Sequence, residues 1–458
     1  MIYRRLIPLL LLVLDFLCVV LVFNLIGWLR GVENVGAIGM VPLLGPFLVL
    51  LVAIHLIDGY SARTDMMSLA YTSQHAIALL AGMLAMLLVT FVFIRDPYSL
   101  QSSRAVIALS FVTLIPLTLS YRRSVTLRAT GERRKRPIFF VGSQASCVAF
   151  KASCEENHTN QEVVFVATDA DNHESMSPLV GLEMHAGAQL LPLVAQLAGQ
   201  IEAIVLHDTS RDLPFAVSEK LMDLHFDGVP TYTLELFHEV YWRKIPLDRL
   251  NQTWLFQEGF RITRDPIYAR LKRASDVGFA LLGLVLVSPL LLLCALAVWL
   301  EDRGPVFFAQ TRVGKNRRSF RVFKFRTMRA DPAGTNPYTQ PNDPRVTRAG
   351  WLLRAARLDE LPQLWNVLRG DMSVIGPRAE WSRLVERYEK EIPCYHFRHL
   401  VKPGITGWAQ VNYPYGANLD DTRRKLEYDL YYIRHFSFVL DASIVLKTIH
   451  IMLGGKGR

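Results

Sequence analysis

Long apolar runs separated by short polar breaks fill the first 121 residues. Four of them, about Leu6 to Leu29, Gly36 to Ile57, His75 to Ile94 and Ala105 to Ser120, have the length and polarity of membrane helices, the last being the shortest. From Pro137 the pattern becomes β-rich. Ile138 to Val141, Val163 to Ala167 and Ala203 to Leu206 read as buried parallel strands, with Ala186 to Leu197 a helix between them. This alternation predicts a doubly wound, Rossmann-like α/β domain over 137–250. A polar and aromatic linker, 251–265, leads into a third region, 266–458, that mixes helix and strand signals. In it, Pro266 to Asp276 is basic and helical, and Val277 to Leu300 is an uncharged run of 24 residues with Ser288-Pro289 at its middle. The run reads as a fifth span or as a re-entrant helix over 277–300, because mid-depth proline removes a backbone donor and crowds the carbonyl one turn back. Gly304 to Met328 predicts a hairpin, with strands Val306 to Ala309 and Phe320 to Met328 about a Gly314-Lys315-Asn316 turn. Asp420 to Phe436 predicts a charged helix, and Ala442 to Leu453 a helix too short to cross a bilayer.

The expected fold class is therefore a multidomain membrane protein with four N-terminal transmembrane helices (1–121), a Rossmann-like α/β domain and a mixed α/β domain over 266–458. Charge refines this. The 458 residues carry a formal charge of +10, which suits nucleic acid, anionic lipid or phosphorylated small substrates. Membrane segments favour the last two, and without zinc-finger spacing or a basic-aromatic module no nucleic-acid partner is expected. The five cysteines are scattered and suggest neither disulfides nor a metal site. Arg4 and Arg5 precede the first run, and Arg122, Arg123, Arg128, Arg133, Arg134, Lys135 and Arg136 follow the fourth, so both ends of the block are expected in the cytoplasm. No small-residue cleavage site follows the first run, which is expected to remain as an uncleaved span. Asp15 within it reads either as a membrane relay or as a residue buried against a neighbour. The segment Val141-Gly142-Ser143-Gln144-Ala145-Ser146 has one glycine where a dinucleotide turn needs three. No bound NAD is expected, and the α/β domain is assigned a regulatory or oligomerisation role.

Candidate chemistry lies in the third region. Lys324 and Arg326 are two apart on a predicted strand and share a face; with Arg312 they read as a phosphate site or as a solvated basic edge. In the stretch Arg348 to Arg378, Leu361, Leu364, Trp365 and Leu368 have the spacing of a buried helix face, and Gly370 is a stop. Pro362 belongs in a first turn, which starts that helix at or near Asp359. Asp359 and Glu360 then read as cap and dipole partner, or as carboxylates beside a phosphate held at the helix start. Arg354 and Arg357 before the pair and Arg378 after it favour phosphate. Two carboxylates facing an anionic diphosphate call for a divalent cation, and Mg²⁺ bound by Asp359 and Glu360 is expected. The block Lys402 to Asn412 is punctuated by glycine and reads as a nucleotide-binding loop, with Thr406, Trp408, Gln410 and Asn412 as contacts, or as a structural turn.

From about Tyr268 onward the chain resembles the bacterial sugar transferase family, the monotopic polyprenyl-phosphate phosphoglycosyl transferases. The motifs are K-R-x-x-D at Lys272 to Asp276, Ser288-Pro289, G-P-V-F-F at Gly304 to Phe308, K-F-R-T-M at Lys324 to Met328, L-D-E-L-P-Q-L-W-N-V-L-R-G-D-M-S at Leu358 to Ser373, I-G-P-R and P-G-I-T-G-W-A-Q-V-N. The N-terminal spans and α/β domain resemble the family's large members, which initiate exopolysaccharide or O-antigen synthesis. The resemblance implies that Asp359 attacks the β-phosphate of a UDP-hexose, releasing UMP, and that the phosphosugar passes to polyprenyl (undecaprenyl) phosphate. It implies that Glu360 serves Mg²⁺ or proton handling, that Arg378 holds phosphate and that the helix broken at Ser288-Pro289 is re-entrant. The implied location is the cytoplasmic face of a bacterial inner membrane, and the α/β domain and four spans offer surface for a homodimer, the expected assembly. Tyr413-Pro414-Tyr415-Gly416 replaces the Asn-Gly common in the family and leaves the hexose open. Competing readings are a membrane nucleotide-sugar diphosphatase and a catalytically silent nucleotide-sensing scaffold.

Overall fold

The computed structural model describes all residues except 1, 32–42, 62–63, 65, 94–102, 134–135, 158, 160, 169–182, 198–200, 208–214, 228, 248–265, 330–342, 415, 417 and 454–458. The chain forms two compact units, Met1–Arg243 and Lys244–Arg458.

The first unit opens with helices α1 (Ile2–Leu29), α2 (Leu44–Leu56), α3 (Leu69–Phe93) and α4 (Arg104–Arg133). Three of these are long and apolar enough to cross a membrane, while α2 has 13 residues. The shortest element is thus the second rather than the fourth, and the first part of the expected second run, Gly36 to Pro42, lies outside the described residues. Val19, Phe23, Leu50, Leu79, Ile107 and Phe111 form the core between the helices.

Asp15, fully buried, pairs with the fully buried Arg122. Tyr60 donates a hydroxyl hydrogen bond to it at 2.6 Å, Tyr121 donates another, and Arg122 also reaches the Gly59 carbonyl at 2.7 Å. Of the two readings of Asp15, burial against a neighbouring helix is the one observed. The adjoining Asp58 is held by both guanidinium nitrogens of Arg243, at 2.6 and 2.9 Å.

Beyond α4, strands β1 (Ile138–Gly142), β2 (Val163–Ala167), β3 (Met184–Ala186), β4 (Ala203–Leu206) and β5 (Thr231–Thr233) form one parallel sheet in the order β3-β2-β1-β4-β5. Helices α5 (Gln144–Glu156), α6 (Leu190–Gln196), α7 (Phe215–Phe226) and the short α8 (Leu234–Phe237) connect or follow the strands. Apolar strand runs are explained by cover on both faces: Val141, Val166 and Ile204 belong to one cluster, and Phe140, Phe165 and Val205 to another. A Cβ on Gly142 would stand 2.5 Å from Ser146 Oγ and 2.7 Å from His207 Cβ. This glycine therefore serves close packing of α5 and the end of β4.

The second unit begins with four buried residues, Lys244 to Leu247, which sequence reading assigned to the α/β domain. The expected linker 251–265 lies outside the described residues. Helix α9 (Pro266–Asp302) runs for 37 residues with Pro289 inside it, so the helical assignment continues through the Ser288-Pro289 pair. Its first turns are anchored by the K-R-x-x-D motif. Lys272 pairs with Asp441 at 2.6 Å, Arg273 donates to the carbonyls of Val367 and Leu368 at 2.5 and 2.6 Å, and Asp276 accepts from Ser373 Oγ at 2.9 Å. The antiparallel hairpin β6 (Phe307–Val313) and β7 (Ser319–Phe325) follows, then α10 (Arg348–Ala355), α11 (Gln363–Arg369) and β8 (Ser373–Ile375). Helix α12 (Ser382–Glu391), strand β9 (Gly404–Thr406), paired in parallel with β8, and helices α13 (Trp408–Asn412), α14 (Leu419–Arg434) and α15 (Phe438–Leu453) complete the unit.

Removing one partner of the dry Asp15–Arg122 pair leaves an uncompensated charge. Asp15→Ala is expected to lower stability by about 3–5 kcal/mol, read as a lower thermal midpoint of the detergent-purified chain, and Asp15→Leu with Arg122→Met should recover most of the loss.

Candidate active site

Three separate segments meet at Glu360. Lys324, on β7, donates to Glu360 Oε1 at 2.7 Å, and Arg378, which follows β8, donates to the same oxygen at 2.7 Å. Among the described residues no hydrogen bond or ion pair falls on the adjacent Asp359 carboxylate. Side-chain exposures of 12% for Glu360, 21% for Lys324 and 35% for Arg378 leave the cluster reachable from solvent on the arginine side.

Local sequence sets this turn. Arg357 takes up a left-handed conformation, φ 54°, which ends α10 and starts a single 3₁₀ turn, Leu358–Glu360. Pro362, lacking an N–H, is then the N-cap of α11. The carboxylates therefore precede the helix instead of starting it, which corrects the expected helix start at or near Asp359. The buried face of α11 is also different: Gln363, Asn366 and Val367 are buried, whereas Trp365 is 55% exposed. Gly370 does stop the helix, with φ 91°.

The paired carboxyls titrate apart. Burial alone would raise Glu360, but the hydrogen-bonded Arg378 and Lys324 outweigh it and hold the carboxyl well below its ordinary value. Burial dominates at Asp359 and, with the nearby Glu360 charge, raises its carboxyl in spite of Lys324, Arg354 and Arg378. Burial likewise lowers the Lys324 ammonium despite Glu360. The result is one carboxylate fixed in its ionised form by two cations and a second that is unpaired and more basic than usual.

The other candidates divide. Arg354 donates to Thr327 Oγ1 at 2.8 Å while its charge acts on Asp359. Arg357 supplies the left-handed turn. Arg326 lies one residue beyond β7 and pairs with Asp302, so the strand face expected to carry it beside Lys324 does not extend that far. Arg312 donates to the Ala379 carbonyl at 3.0 Å and lies 3.8 Å from Glu380. The basic side chains that meet at the two carboxylates are thus Lys324 and Arg378, with Arg354 contributing charge.

In the block Lys402 to Asn412 the glycines mark backbone contact. A Cβ on Gly404 or Gly407 would overlap the Gly376 backbone, and one on Gly376 would overlap the Lys402 carbonyl. Trp408 is 2% exposed, stacked near Tyr431 with Lys447 over its ring at 4.5 Å, so the expected base-stacking role is corrected: this ring is core. Thr406 bonds Thr448 at 2.7 Å, Gln410 donates to the Ile405 carbonyl at 3.2 Å, and Asn412 donates to the Trp408 carbonyl and accepts from Lys447.

Two positioning groups escaped sequence reading. Asn366, fully buried, accepts from the Phe323 N–H at 3.0 Å and donates to the Arg321 carbonyl at 2.7 Å, tying α11 to the strand that carries Lys324. Its signal was an amide in the buried phase of L-W-N-V-L. Arg398 donates to the Arg378 carbonyl at 3.0 Å; no local motif marks it.

Residues 267–455 match the family described as bacterial sugar transferase. A UDP-N-acetylgalactosamine-undecaprenyl-phosphate N-acetylgalactosaminephosphotransferase of Aeromonas hydrophila is 46% identical over 231 residues, 50% of this chain and 53% of that protein. A UDP-glucose:undecaprenyl-phosphate glucose-1-phosphate transferase of Escherichia coli (strain K12) is 48% identical over 184 residues, 39% of each chain. The exopolysaccharide production protein PSS of Rhizobium leguminosarum bv. phaseoli is 44% identical over 195 residues, 41% of this chain and 98% of that protein. The chain therefore spans about half or less of the length of the first two relatives and nearly all of the third.

Asn366→Leu keeps the volume but leaves a buried N–H and carbonyl unpaired. A loss of about 2–5 kcal/mol is expected as a lower thermal midpoint, whereas Trp365→Ala, on the exposed side, should move it little.

Proposed function

The chain belongs to the bacterial sugar transferase family, and we propose from this premise that it transfers hexose 1-phosphate from a UDP-hexose to polyprenyl (undecaprenyl) phosphate. The observation that carries the proposal is Asp359, a carboxylate with no hydrogen bond or ion pair among the described residues, next to a carboxylate that gathers two cations suited to phosphate, Lys324 and Arg378. An oxygen of ionised Asp359 attacks the β-phosphorus of the UDP-sugar, the bond from that phosphorus to the bridging oxygen breaks, and UMP leaves with the electron pair. A phosphate oxygen of the lipid then attacks the same phosphorus and frees the Asp359 carboxylate. Raised basicity suits Asp359 to bond phosphorus, and Lys324 and Arg378 meet charge that develops on its oxygens. Glu360 keeps the two cations together before substrate arrives.

Mg²⁺ is part of the reading. Both Asp359 oxygens and Glu360 Oε2 make no hydrogen bond among the described residues, a donor set that suits an ion sharing its shell with substrate phosphates. Bound there, the ion would neutralise diphosphate charge. The fourth site oxygen, Glu360 Oε1, is already taken by Lys324 and Arg378.

Helix α9 is read as re-entrant. Pro289 leaves the Val285 carbonyl without its helical donor, and Ser288 Oγ donates to that carbonyl at 2.8 Å, the compensation an apolar medium requires. Leu281, Leu282, Val285, Leu286, Leu292 and Leu293 are exposed, which suits lipid contact. The catalytic unit then lies at the cytoplasmic face of a bacterial inner membrane. The parallel sheet is read as a Rossmann-like regulatory or oligomerisation domain. A homodimer belongs to the same reading, supported by Phe226, 86% exposed on α7.

Purified protein given Mg²⁺, UDP-hexoses and undecaprenyl phosphate should release UMP and form lipid-linked sugar. UMP release sustained without lipid would instead indicate a diphosphatase. Asp359→Asn should abolish product while leaving the thermal midpoint unchanged; activity near that of the parent would remove Asp359 from the mechanism. Because its pKa is raised, the attacking carboxylate is lost as pH falls through a value above the ordinary aspartate range. The acid limb of kcat/KM, which reports the free enzyme, should therefore lie higher than an exposed carboxylate would place it, and Arg354→Gln should move it higher still. A cysteine placed after Gly454 should be labelled from the cytoplasmic side alone; labelling from the other side would mean that α9 spans.

A further inference from the structure

The segment Lys244 to Leu247 precedes the family-matched residues 267–455 yet lies inside the second unit. All four residues are buried, Ile245 at 1% and Leu247 at 7% exposure, in one cluster with Tyr395, Trp408, Leu426 and Leu430. Two of its contacts fall on a single residue of α14. Lys244 Nζ lies 3.3 Å from Glu427 Oε2, with side-chain exposures of 3% and 10%, and the Ile245 N–H donates to the Glu427 carbonyl at 3.1 Å.

Two residues further along α14, the buried Asp429 pairs with the buried Arg398 at 2.8 Å. Arg398 also donates to the Tyr395 hydroxyl at 2.6 Å, in the cluster that holds Ile245, and to the Arg378 carbonyl at 3.0 Å. Arg378 ends the series on Glu360. Apart from the step along α14 from Glu427 to Asp429, which is covalent, each step is a packed or hydrogen-bonded contact, buried as far as Arg398 and half-buried at Arg378, and such a network can carry energetic coupling. The segment lies outside residues 267–455, the part that matches the family, so the strap is an addition to that part.

We infer that Lys244–Leu247 is a positioning strap that, by docking on α14, sets Arg378 for phosphate. The inference rests on the proposed role of Arg378 as a phosphate ligand, but not on the transfer reaction. A strap that slackens lets α14 and Arg398 relax and moves the Arg378 backbone. It gives the N-terminal half of the chain, continuous with it at Arg243, a covalent handle on the phosphate site.

The test is UDP binding to the full detergent-purified chain by calorimetry, with Mg²⁺. Lys244→Met is expected to weaken UDP about tenfold and Lys244→Arg to restore it to within about threefold of the parent. In an Arg378→Lys background Lys244→Met should add almost nothing, because the strap acts through that residue. If Lys244→Met does not fold, Lys244→Gln with Glu427→Gln removes both buried charges together and should give the same weakening. Unchanged UDP affinity in a strap variant, a loss that multiplies with that of Arg378→Lys, or no UDP binding by the parent would each overturn the strap. A parent that binds UDP but releases no UMP from any UDP-hexose sinks the transfer reaction and leaves the strap standing.

Discussion

The site depends on a single electrostatic arrangement: Glu360 Oε1 receives hydrogen bonds from both Lys324 and Arg378. Two cations brought to one oxygen repel each other, and partial burial strengthens the repulsion by lowering the local dielectric. Only a carboxylate that stays ionised can keep them together. Its pKa is held low by the same two groups, so the cluster is self-consistent across ordinary pH. Asp359, with no hydrogen bond or ion pair among the described residues, rises in basicity through burial and the neighbouring Glu360 charge. The contrast between two adjacent carboxyls follows from which of them faces the cations.

Much of the remaining unit holds the three contributing segments in register. Asn366 fixes the strand that carries Lys324, and Arg398 fixes the Arg378 backbone, which also bridges to Gly404. The 3₁₀ turn is set from behind, where Leu358 packs with Leu353 and with Cys294 and Val298 of α9. Glu301, at the end of α9, accepts from the N–H groups of Arg348 and Ala349 and so caps α10, a helix of eight residues that needs such support. The glycines of I-G-P-R and P-G-I-T-G serve the same end by letting two backbones touch.

Legibility in the sequence followed the range of the interaction. Strands Val163–Ala167 and Ala203–Leu206 have the bounds their apolar runs predict, since a buried parallel strand is specified by its own side chains. Gly370 was equally legible, because a left-handed helix end needs only a local signal. The start of α11 was not. Pro362 fits both the first turn and the N-cap, and the choice was made by the left-handed Arg357, which no residue preference announces. Trp408 misled for a related reason: an aromatic between glycines looks like a loop contact until α14 and α15 cover it. Lys324 and Arg378 were found singly as basic residues, but their meeting on Glu360 is a contact between distant segments, and periodicity carries no trace of it.

The geometry of α9 bears on how such a site meets its lipid. At about 1.5 Å per residue, 37 helical residues extend about 55 Å if straight, more than the roughly 30 Å of a bilayer's hydrocarbon core. Polar side chains at its start, Lys272, Arg273 and Asp276, and at its end, Glu301 and Asp302, are all bonded within the second unit. Both ends of α9 are thus held by the same compact unit. Burial changes along the helix in the same sense: Ala280, Cys294 and Val298 are buried, whereas Val285, Leu286 and Leu290 between them are exposed. The apolar middle is therefore the part offered to lipid, and it lies between two arms whose second carries the packing behind Asp359. A shift of α9 at Ser288-Pro289 would be felt at Leu358 through Val298 and Leu353, which makes this helix part of the scaffold of the turn that carries Asp359 and Glu360.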